Sequence, residues 1–144
     1  MDRIIIGEPV INQELEESMV PRVLIGDADD AWLDVCERGL CDSGFTVETA
    51  QDGLACLAQL QRGPQPDVVV LELDMPWGGG DGVLALLREE ARLLAHGVVI
   101  VTGRAPPDVL SARTGIPISR CLRKPFHLDG LLNLVGGARM ACAD

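Results

Sequence analysis

Acidic, hydroxyl and lysine side chains stand directly after a series of short apolar runs in this chain. The side chains that could do chemistry there are Asp27, Asp29, Glu72, Asp74, Thr102 and Lys124. Carboxylates hold Mg²⁺ through oxygen, and a further carboxylate can act as a nucleophile. A lysine and a hydroxyl bind phosphoryl oxygens, one as a point charge and the other as a hydrogen-bond donor. This set has the composition of a site for phosphoryl chemistry.

The elements that must position these side chains are short strands that alternate with helical patterns from Arg22 onward. The predicted strands are 23–25, 45–49, 68–71, 98–101 and 116–122. A glycine-rich loop, 77–80, is expected to precede the third helix, and the last helix is expected over 128–135. Five β-α units in about 120 residues indicate an α/β fold with a doubly wound parallel sheet. The carboxyl ends of its strands meet at one edge, where the six side chains should come together.

Several acidic, hydroxyl and lysine residues of this region have an ordinary structural explanation when each is taken alone. Asp29, Asp30 and Asp81 stand where an aspartate caps a helix, Thr102 would suit a turn, and Lys124 would suit a solvated surface. Their joint occurrence at the ends of the first, third, fourth and fifth strands is what favours a functional site.

The chain resembles the receiver domains of response regulators from Arg22 to Val135. The segments that carry the resemblance are Val23-Leu24-Ile25-Gly26-Asp27, 44–53, 66–76 with its Met75-Pro76, Asp81-Gly82 and Lys124-Pro125-Phe126. The resemblance implies a flavodoxin-like, five-stranded sheet of order 2-1-3-4-5 with five helices. It also implies phosphorelay signal transduction in a two-component system, and no enzyme activity.

The resemblance assigns roles to individual residues and exposes departures from the family pattern. Glu72 occupies the phospho-acceptor position, where the family has aspartate, and Thr102 and Lys124 occupy the phosphate-contact positions. Cys121 occupies the switch position, where the family usually has Tyr or Phe. The two adjacent acidic residues that follow the first strand in the family are here Asp27 and Ala28.

These departures predict that phosphorylation is weakened or lost. Glu72 carries its carboxylate about 1.5 Å further than aspartate would, and a misplacement near 1 Å costs about 10²-fold in a positioned reaction. Ala28 removes what the resemblance implies is a direct Mg²⁺ ligand. The expected Mg²⁺ site is therefore weak or absent, formed by Asp27, Glu72 and the carbonyl of Asp74. Asp29 would join it only by giving up its helix cap.

Three outcomes for Glu72 stay open at this stage. Its carboxylate could reach Lys124 or Thr102, imitate an aspartyl phosphate in part and bias the domain toward its active state. The domain could instead be an inert fold kept for binding, or it could retain residual phosphorylation. A single carboxylate supplies less charge than a phosphoryl group with its metal, which favours constitutive behaviour over regulated switching.

An enzyme from another class is the main alternative. Asp27-Ala28-Asp29 after a strand, followed by Thr102 and Lys124, also resembles haloacid-dehalogenase-type phosphatases, with Asp27 as nucleophile and Asp29 as general acid. That family places a further acidic pair after the lysine to hold Mg²⁺, whereas only Asp129 follows here before the final residues. Met75-Pro76 and Lys124-Pro125-Phe126 also have no explanation in such an enzyme.

Composition and charge exclude several other classes of protein. The net charge is -10 and aromatic residues make up 3% of the chain, so neither a basic patch nor a stacking platform for nucleic acid is expected. No apolar run has the length of a membrane span, and Glu8 and Pro9 interrupt the apolar start too early for a secretory signal. Both features favour a cytoplasmic location. Five cysteines, an odd number without a CxxC pair, favour reduced structural thiols.

Residues 1–21 are predicted to be an N-terminal extension, 22–137 the receiver domain and 138–144 a C-terminal tail; Met19 would also serve as a start.

With no second domain predicted, a signal would leave through protein contacts. The expected partner is a histidine kinase, a phosphotransfer protein or a downstream effector. By resemblance, partners or a second copy would dock on the fourth helix, fifth strand and last helix, around Val109, Cys121, Leu128 and Leu131.

Overall fold

Five short strands form one parallel sheet in the computed structural model, which describes residues 20–77, 79–90 and 97–143. The strands are β1 Arg22–Gly26, β2 Thr46–Ala50, β3 Val68–Glu72, β4 Val98–Gly103 and β5 Cys121–Arg123. The helices are α1 Asp30–Asp42, α2 Gly53–Arg62, α3 Gly79–Glu89, α4 Pro107–Thr114 and α5 Leu128–Ala143. The strand order is β2-β1-β3-β4-β5, so the predicted flavodoxin-like fold is confirmed. The predicted extension falls almost wholly outside the described residues.

The core lies on both faces of the sheet, and β3 at its centre is buried along its whole length. Val69 and Leu71 pack into one apolar cluster together with α2 and α3, while Val68 and Val70 pack into the other with α1 and α5. Because successive side chains of a strand point to opposite faces, a strand covered on both faces must be apolar throughout. This requirement accounts for the uninterrupted valine and leucine run that the sequence shows.

Aspartate caps begin the first two helices. The Asp29 carboxylate accepts a hydrogen bond from the Trp32 amide at 3.1 Å, and Asp52 accepts one from the Ala55 amide at 2.8 Å. Each bond satisfies an amide that the helix itself leaves without a partner. The helix-capping interpretation of Asp29 is therefore correct.

The fifth strand is shorter than expected and begins later. Ile118–Arg120 form a turn of 3-10 helix, and β5 covers only Cys121–Arg123, where a strand over 116–122 was predicted. Pro117 precedes the turn and has no amide hydrogen to donate to a strand ladder. The predicted start of this strand is wrong for that reason.

The last helix continues beyond its expected end. Gly136 and Gly137 were predicted to terminate it after Val135, but α5 runs to Ala143, through most of the segment predicted as a tail. Two helical glycines cost about 1 kcal/mol each. Ala138 lies buried in the same cluster as Val135, so packing of one helix face against the sheet outweighs this local cost.

The glycines after β3 belong to a helix and not only to a loop. α3 begins at Gly79, where a glycine-rich loop as far as Gly80 was predicted. A Cβ at Gly80 would lie 2.7 Å from the Glu72 carbonyl oxygen. The helix can therefore start this close to the end of β3 only because residue 80 has no side chain.

Three of the cysteines in the described residues are buried thiols. Cys36, Cys56 and Cys121 lie in the interior, Cys41 is exposed, and none of the four forms a disulfide. Burial raises the pKa of Cys36 and of Cys56 to about 12. Among the described residues, no helix has the length and apolar character needed to cross a membrane.

Substitution of Gly53 by alanine should destabilise the domain, because the new Cβ would overlap the carbonyl oxygen of Trp77 in the loop after β3. We expect a loss of about 1–3 kcal/mol in the free energy of unfolding. Gly82 is the matched control, since it lies within α3 and a Cβ there would meet no atom within 4 Å. Gly82→Ala should gain about 1 kcal/mol. Urea denaturation measures both, and equal effects at the two positions would contradict this packing.

Thiol labelling should separate the cysteines by their burial. With iodoacetamide at neutral to slightly alkaline pH, Cys41 should react rapidly in the folded protein, because it is exposed. Cys36 and Cys56 should stay unmodified, because their pKa of about 12 keeps them protonated and only the thiolate reacts. Peptide mass spectrometry distinguishes the sites, with urea-unfolded protein as the control. Rapid labelling of Cys36 in folded protein would contradict the described core.

Candidate functional site

The ends of neighbouring strands bring the predicted site residues to one edge of the sheet. Gly26 is in register with Leu71, and Glu72 is in register with Thr102. Asp27 directly follows β1, and Glu72 ends the neighbouring strand β3. The two residues therefore lie at nearly the same height along the sheet. Lys124 comes directly after β5, and its amide donates a hydrogen bond of 2.7 Å to the carbonyl of Gly103.

Lys124 joins two carboxylates in one ion cluster. Its Nζ lies 2.6 Å from Asp27 Oδ2 and 2.7 Å from Glu72 Oε1. The side chains are largely buried, with exposed fractions of 19% for Lys124, 4% for Asp27 and 12% for Glu72. Buried charges persist in proteins when they are paired and hydrogen-bonded, as these are. The cluster is the central feature of the site.

Backbone amides bind the remaining oxygens of the two carboxylates. The Asp29 amide donates to Asp27 Oδ1 at 2.9 Å, and the Ala28 amide lies 3.5 Å from Glu72 Oε2. The first is a full hydrogen bond, while the second is at the outer limit of one. The turn after β1 thus orients Asp27 firmly and holds Glu72 more loosely.

Burial and the neighbouring side chains shift the pKa values of Asp27 and Lys124. Burial raises the pKa of Asp27 above its ordinary 3.8, with a smaller contribution from the charge of Glu72, against the hydrogen bond from Lys124. Burial alone would lower the pKa of Lys124, but its hydrogen bonds to Asp27 and Glu72 outweigh burial and raise that pKa. Lys124 is therefore held as a cation, and Asp27 is the carboxyl group that takes up a proton more readily than usual.

Thr102 lies at the same edge but does not join the cluster. It is buried, with 2% of its surface exposed, and its carbonyl accepts a hydrogen bond from the Leu73 amide at 3.0 Å. In the described part of the chain, no hydrogen bond links the Thr102 hydroxyl to Glu72. Of the two contacts expected for Glu72, the one with Lys124 is made.

The side chains present do not fit a Mg²⁺ site. Lys124 already binds an oxygen of both Asp27 and Glu72, and the Asp29 carboxylate caps α1. The ligand expected at Asp74 was its backbone carbonyl, and the Asp74 side chain, which is 59% exposed, lies 3.9 Å from Arg113. Within residues 20–77, 79–90 and 97–143, no three acidic, histidine or cysteine side chains are grouped as metal ligands would be. The Lys124 ammonium thus lies between two carboxylates that the sequence predicted as Mg²⁺ ligands.

Arg113 is a residue of this region that the sequence analysis did not single out. It forms an ion pair with Asp81 at the start of α3 and lies near Asp74 after β3. These contacts connect α4 to the loop that follows Glu72 and to the start of α3. Because they depend on how two helices pack, no local pattern in the sequence could have indicated them.

Cys121 is buried at the predicted switch position. Its thiol lies 3.5 Å from the carbonyl oxygen of Pro117 and 3.7 Å from that of Ile116. Leu131 is fully buried as well, so neither residue belongs to the expected docking surface. Val109 on α4 is accessible, with 48% of its surface exposed.

Comparison with known proteins decides the family. Residues 23–136 match the response regulator receiver domain. The chain belongs to this family. Receiver domains are signalling modules of two-component systems, they interact with kinases and effectors, and they generally bind Mg²⁺ for phosphorylation.

The curated relatives are longer response regulators. The chain is 38% identical over 112 residues to the transcriptional regulatory protein PrrA of Mycobacterium tuberculosis, covering 78% of this chain and 47% of PrrA. It is 34% identical over 114 residues to the response regulator MprA of Mycolicibacterium vanbaalenii, covering 79% of this chain and 48% of MprA. This receiver domain thus spans about half the length of these relatives.

Solved structures show the same fold. The Francisella response regulator 1452 receiver domain superimposes with a TM-score of 0.72 at 24% identity, over 83% of this receiver domain and 97% of that structure. The chemotaxis response regulator CheY4 of Vibrio cholerae gives 0.71 at 24% identity, over 83% and 98%. The relatives are response regulators, and the haloacid-dehalogenase alternative is therefore wrong. Asp29, its expected general acid, is engaged as a helix cap.

Substitution of Lys124 by methionine should strongly destabilise the domain at neutral pH, because two largely buried carboxylates would lose their counter-charge. We expect a loss of about 3–5 kcal/mol in the free energy of unfolding by urea. The pKa of Asp27 is higher in the folded protein than its ordinary 3.8. Ionisation of Asp27 above that pH therefore lowers the free energy of unfolding, and lowers it more when Lys124 is absent. The loss should therefore shrink as the pH is lowered toward 4.

Two comparisons make this prediction specific. Arg38→Met removes an exposed pair with Asp34 and should change stability by less than about 0.5 kcal/mol. Lys124→Met should also cost less in a Glu72→Gln background, where one carboxylate is already absent. A loss for Lys124→Met that is independent of both pH and residue 72 would argue against the cluster.

Proposed function

We propose that this receiver domain acts as a protein-binding module in a two-component signalling system, and that phosphorylation does not switch it. The observation that carries the proposal is the position of the Lys124 ammonium, 2.6 Å from Asp27 and 2.7 Å from Glu72. The groups that would receive and bind a phosphoryl group are already paired with each other. The ion pairs would then hold the site in one conformation without a phosphoryl donor.

Three further features support a fixed state over a switched one. Ala28 provides no carboxylate beside Asp27, so Mg²⁺ binding is weak or absent. Thr102 makes no hydrogen bond to Glu72 in the described part of the chain, and Cys121 has no aromatic ring to move between buried and exposed positions. A two-state switch needs contacts that differ between its states, and this site has lost those that phosphorylation would create. Of the three outcomes for Glu72, binding through an unswitched fold is the one we favour.

The partner would be a histidine kinase, a phosphotransfer protein or a downstream effector, and the domain itself would turn over no substrate. The proposed docking surface is the face of α4, β5 and α5, which exposes Val109 and Ile118 to 48% and 55%. A second copy of the chain is the other occupant we propose for this face. The proposed functional unit is residues 22–137, in the cytoplasm.

Incubation with acetyl phosphate and Mg²⁺ should leave the wild-type protein unmodified. Intact-protein mass spectrometry would then show no increase by one phosphoryl group, because Glu72 is misplaced and its carboxylate is bound to Lys124. The double variant Ala28→Asp/Glu72→Asp restores both carboxylates of the family pattern and should gain Mg²⁺-dependent phosphorylation.

A triple variant that adds Asp27→Asn is the control and should lose this gain. It separates modification at the intended site from labelling elsewhere on the protein. Robust Mg²⁺-dependent modification of the wild type at Glu72 would overturn the proposal.

A further inference from the structure

A cavity of about 600 Å³ opens beside the ion cluster. It lies between the start of α1 and the loops that follow β4 and β5. Its main lining residues are Trp32, Arg104, Arg123, Lys124 and Phe126. Sites for small molecules typically enclose 300–1,000 Å³, so the volume suits a compact organic ligand.

The basic side chains at this cavity differ in whether a carboxylate neutralises them. Lys124 is neutralised by Asp27 and Glu72. Arg104 and Arg123 are both exposed, and in the part of the chain that the structure describes neither forms an ion pair with a carboxylate. The Arg123 Nε donates to the Arg104 carbonyl at 3.2 Å, which holds the two residues together. In a protein of net charge -10, these two arginines, which have no carboxylate partner among the described residues, form a local concentration of positive charge.

Two aromatic rings form the apolar part of the same cavity. Trp32 and Phe126 meet edge to face, with ring centroids 5.3 Å apart and planes inclined by 84°. Both are partly exposed while packing against the core cluster of α1 and α5. Trp and Phe are scarce here, with two of each in the whole chain. One of each lies at this cavity, where either ring offers an aromatic surface against which a planar ligand can pack.

We propose that this cavity binds a small aromatic anion. Its carboxylate or phosphate would lie between Arg104 and Arg123, whose planar guanidinium groups bind such anions through paired hydrogen bonds. Its ring would pack against Trp32 and Phe126. Asp29, which also lines the cavity, disfavours a second negative charge on that side. The inference does not rest on the loss of phosphorylation, because the ligand would bind beside the ion cluster and not at Glu72.

Isothermal titration calorimetry with naphthoate, AMP, acetate and naphthalenemethanol tests the proposal on the intact chain. Naphthoate supplies a ring with a carboxylate, AMP a ring with a phosphate, acetate a charge alone and the alcohol a ring alone. Naphthoate or AMP should bind at least about 10-fold more tightly than acetate and than the alcohol, because only these two use both halves of the cavity. Which of the two binds more tightly identifies the anionic group that the arginines prefer.

Three variants assign the binding to named residues. Arg104→Gln and Arg123→Gln should each weaken binding by about 10-fold, as expected for the loss of a charge-assisted hydrogen bond. Arg38→Gln, an exposed arginine on α1 outside the cavity, should leave it unchanged. Both cavity arginines are exposed, so circular dichroism should show folded variants.

Two results would overturn the inference. One is the absence of binding by both naphthoate and AMP at millimolar concentration. The other is binding by the neutral alcohol as tight as that by naphthoate, which would show that the arginines contribute nothing. The comparison among ligands uses wild-type protein alone, so it decides the matter even if a variant failed to fold.

Discussion

The site depends on one constraint: a single ammonium must balance two carboxylates that the fold has taken out of water. Isolated buried charges are so costly that a protein either pairs them or neutralises them by protonation. Lys124 pairs them, at 2.6 Å from Asp27 and 2.7 Å from Glu72. The pairing requires β1, β3 and β5 to end at one edge of the sheet. The topology of the fold and the electrostatics of the site are therefore parts of the same arrangement.

Three acidic side chains of the site already have partners: Asp27 and Glu72 pair with Lys124, and Asp29 caps a helix. In an acceptor site, one carboxylate must be free to react and others must hold a metal. Here Glu72 is bound to Lys124, Ala28 offers no oxygen from its side chain, and Asp29 caps α1. Glu72 and Asp29 thus have structural roles, as an ion-pair partner and as a helix cap. The result is a site at the carboxyl edge of the sheet in which the buried charges are paired.

Part of this arrangement was predictable from the sequence. The apolar runs 68–71 and 98–101 identified buried central strands, because a strand covered on both faces must be apolar throughout. The side chains that follow such runs identified the site, since parallel strands bring their carboxyl ends together. One error arose because tertiary packing outweighed a local rule. Gly136 and Gly137 did not end α5, because the face that includes Val135 and Ala138 is buried against the sheet.

What the sequence determined by itself was the order of the elements, the parallel sheet and the six residues at its edge. These depend on local patterns and on the rule that β-α-β connections between parallel strands are almost always right-handed. The tertiary structure alone decided which of the six are joined: Lys124 to Asp27 and Glu72, but Asp74 toward Arg113. It also decided that Arg104 and Arg123 share a cavity with Trp32. Such contacts join residues far apart in the chain, and their distances follow only from how the helices pack on the sheet.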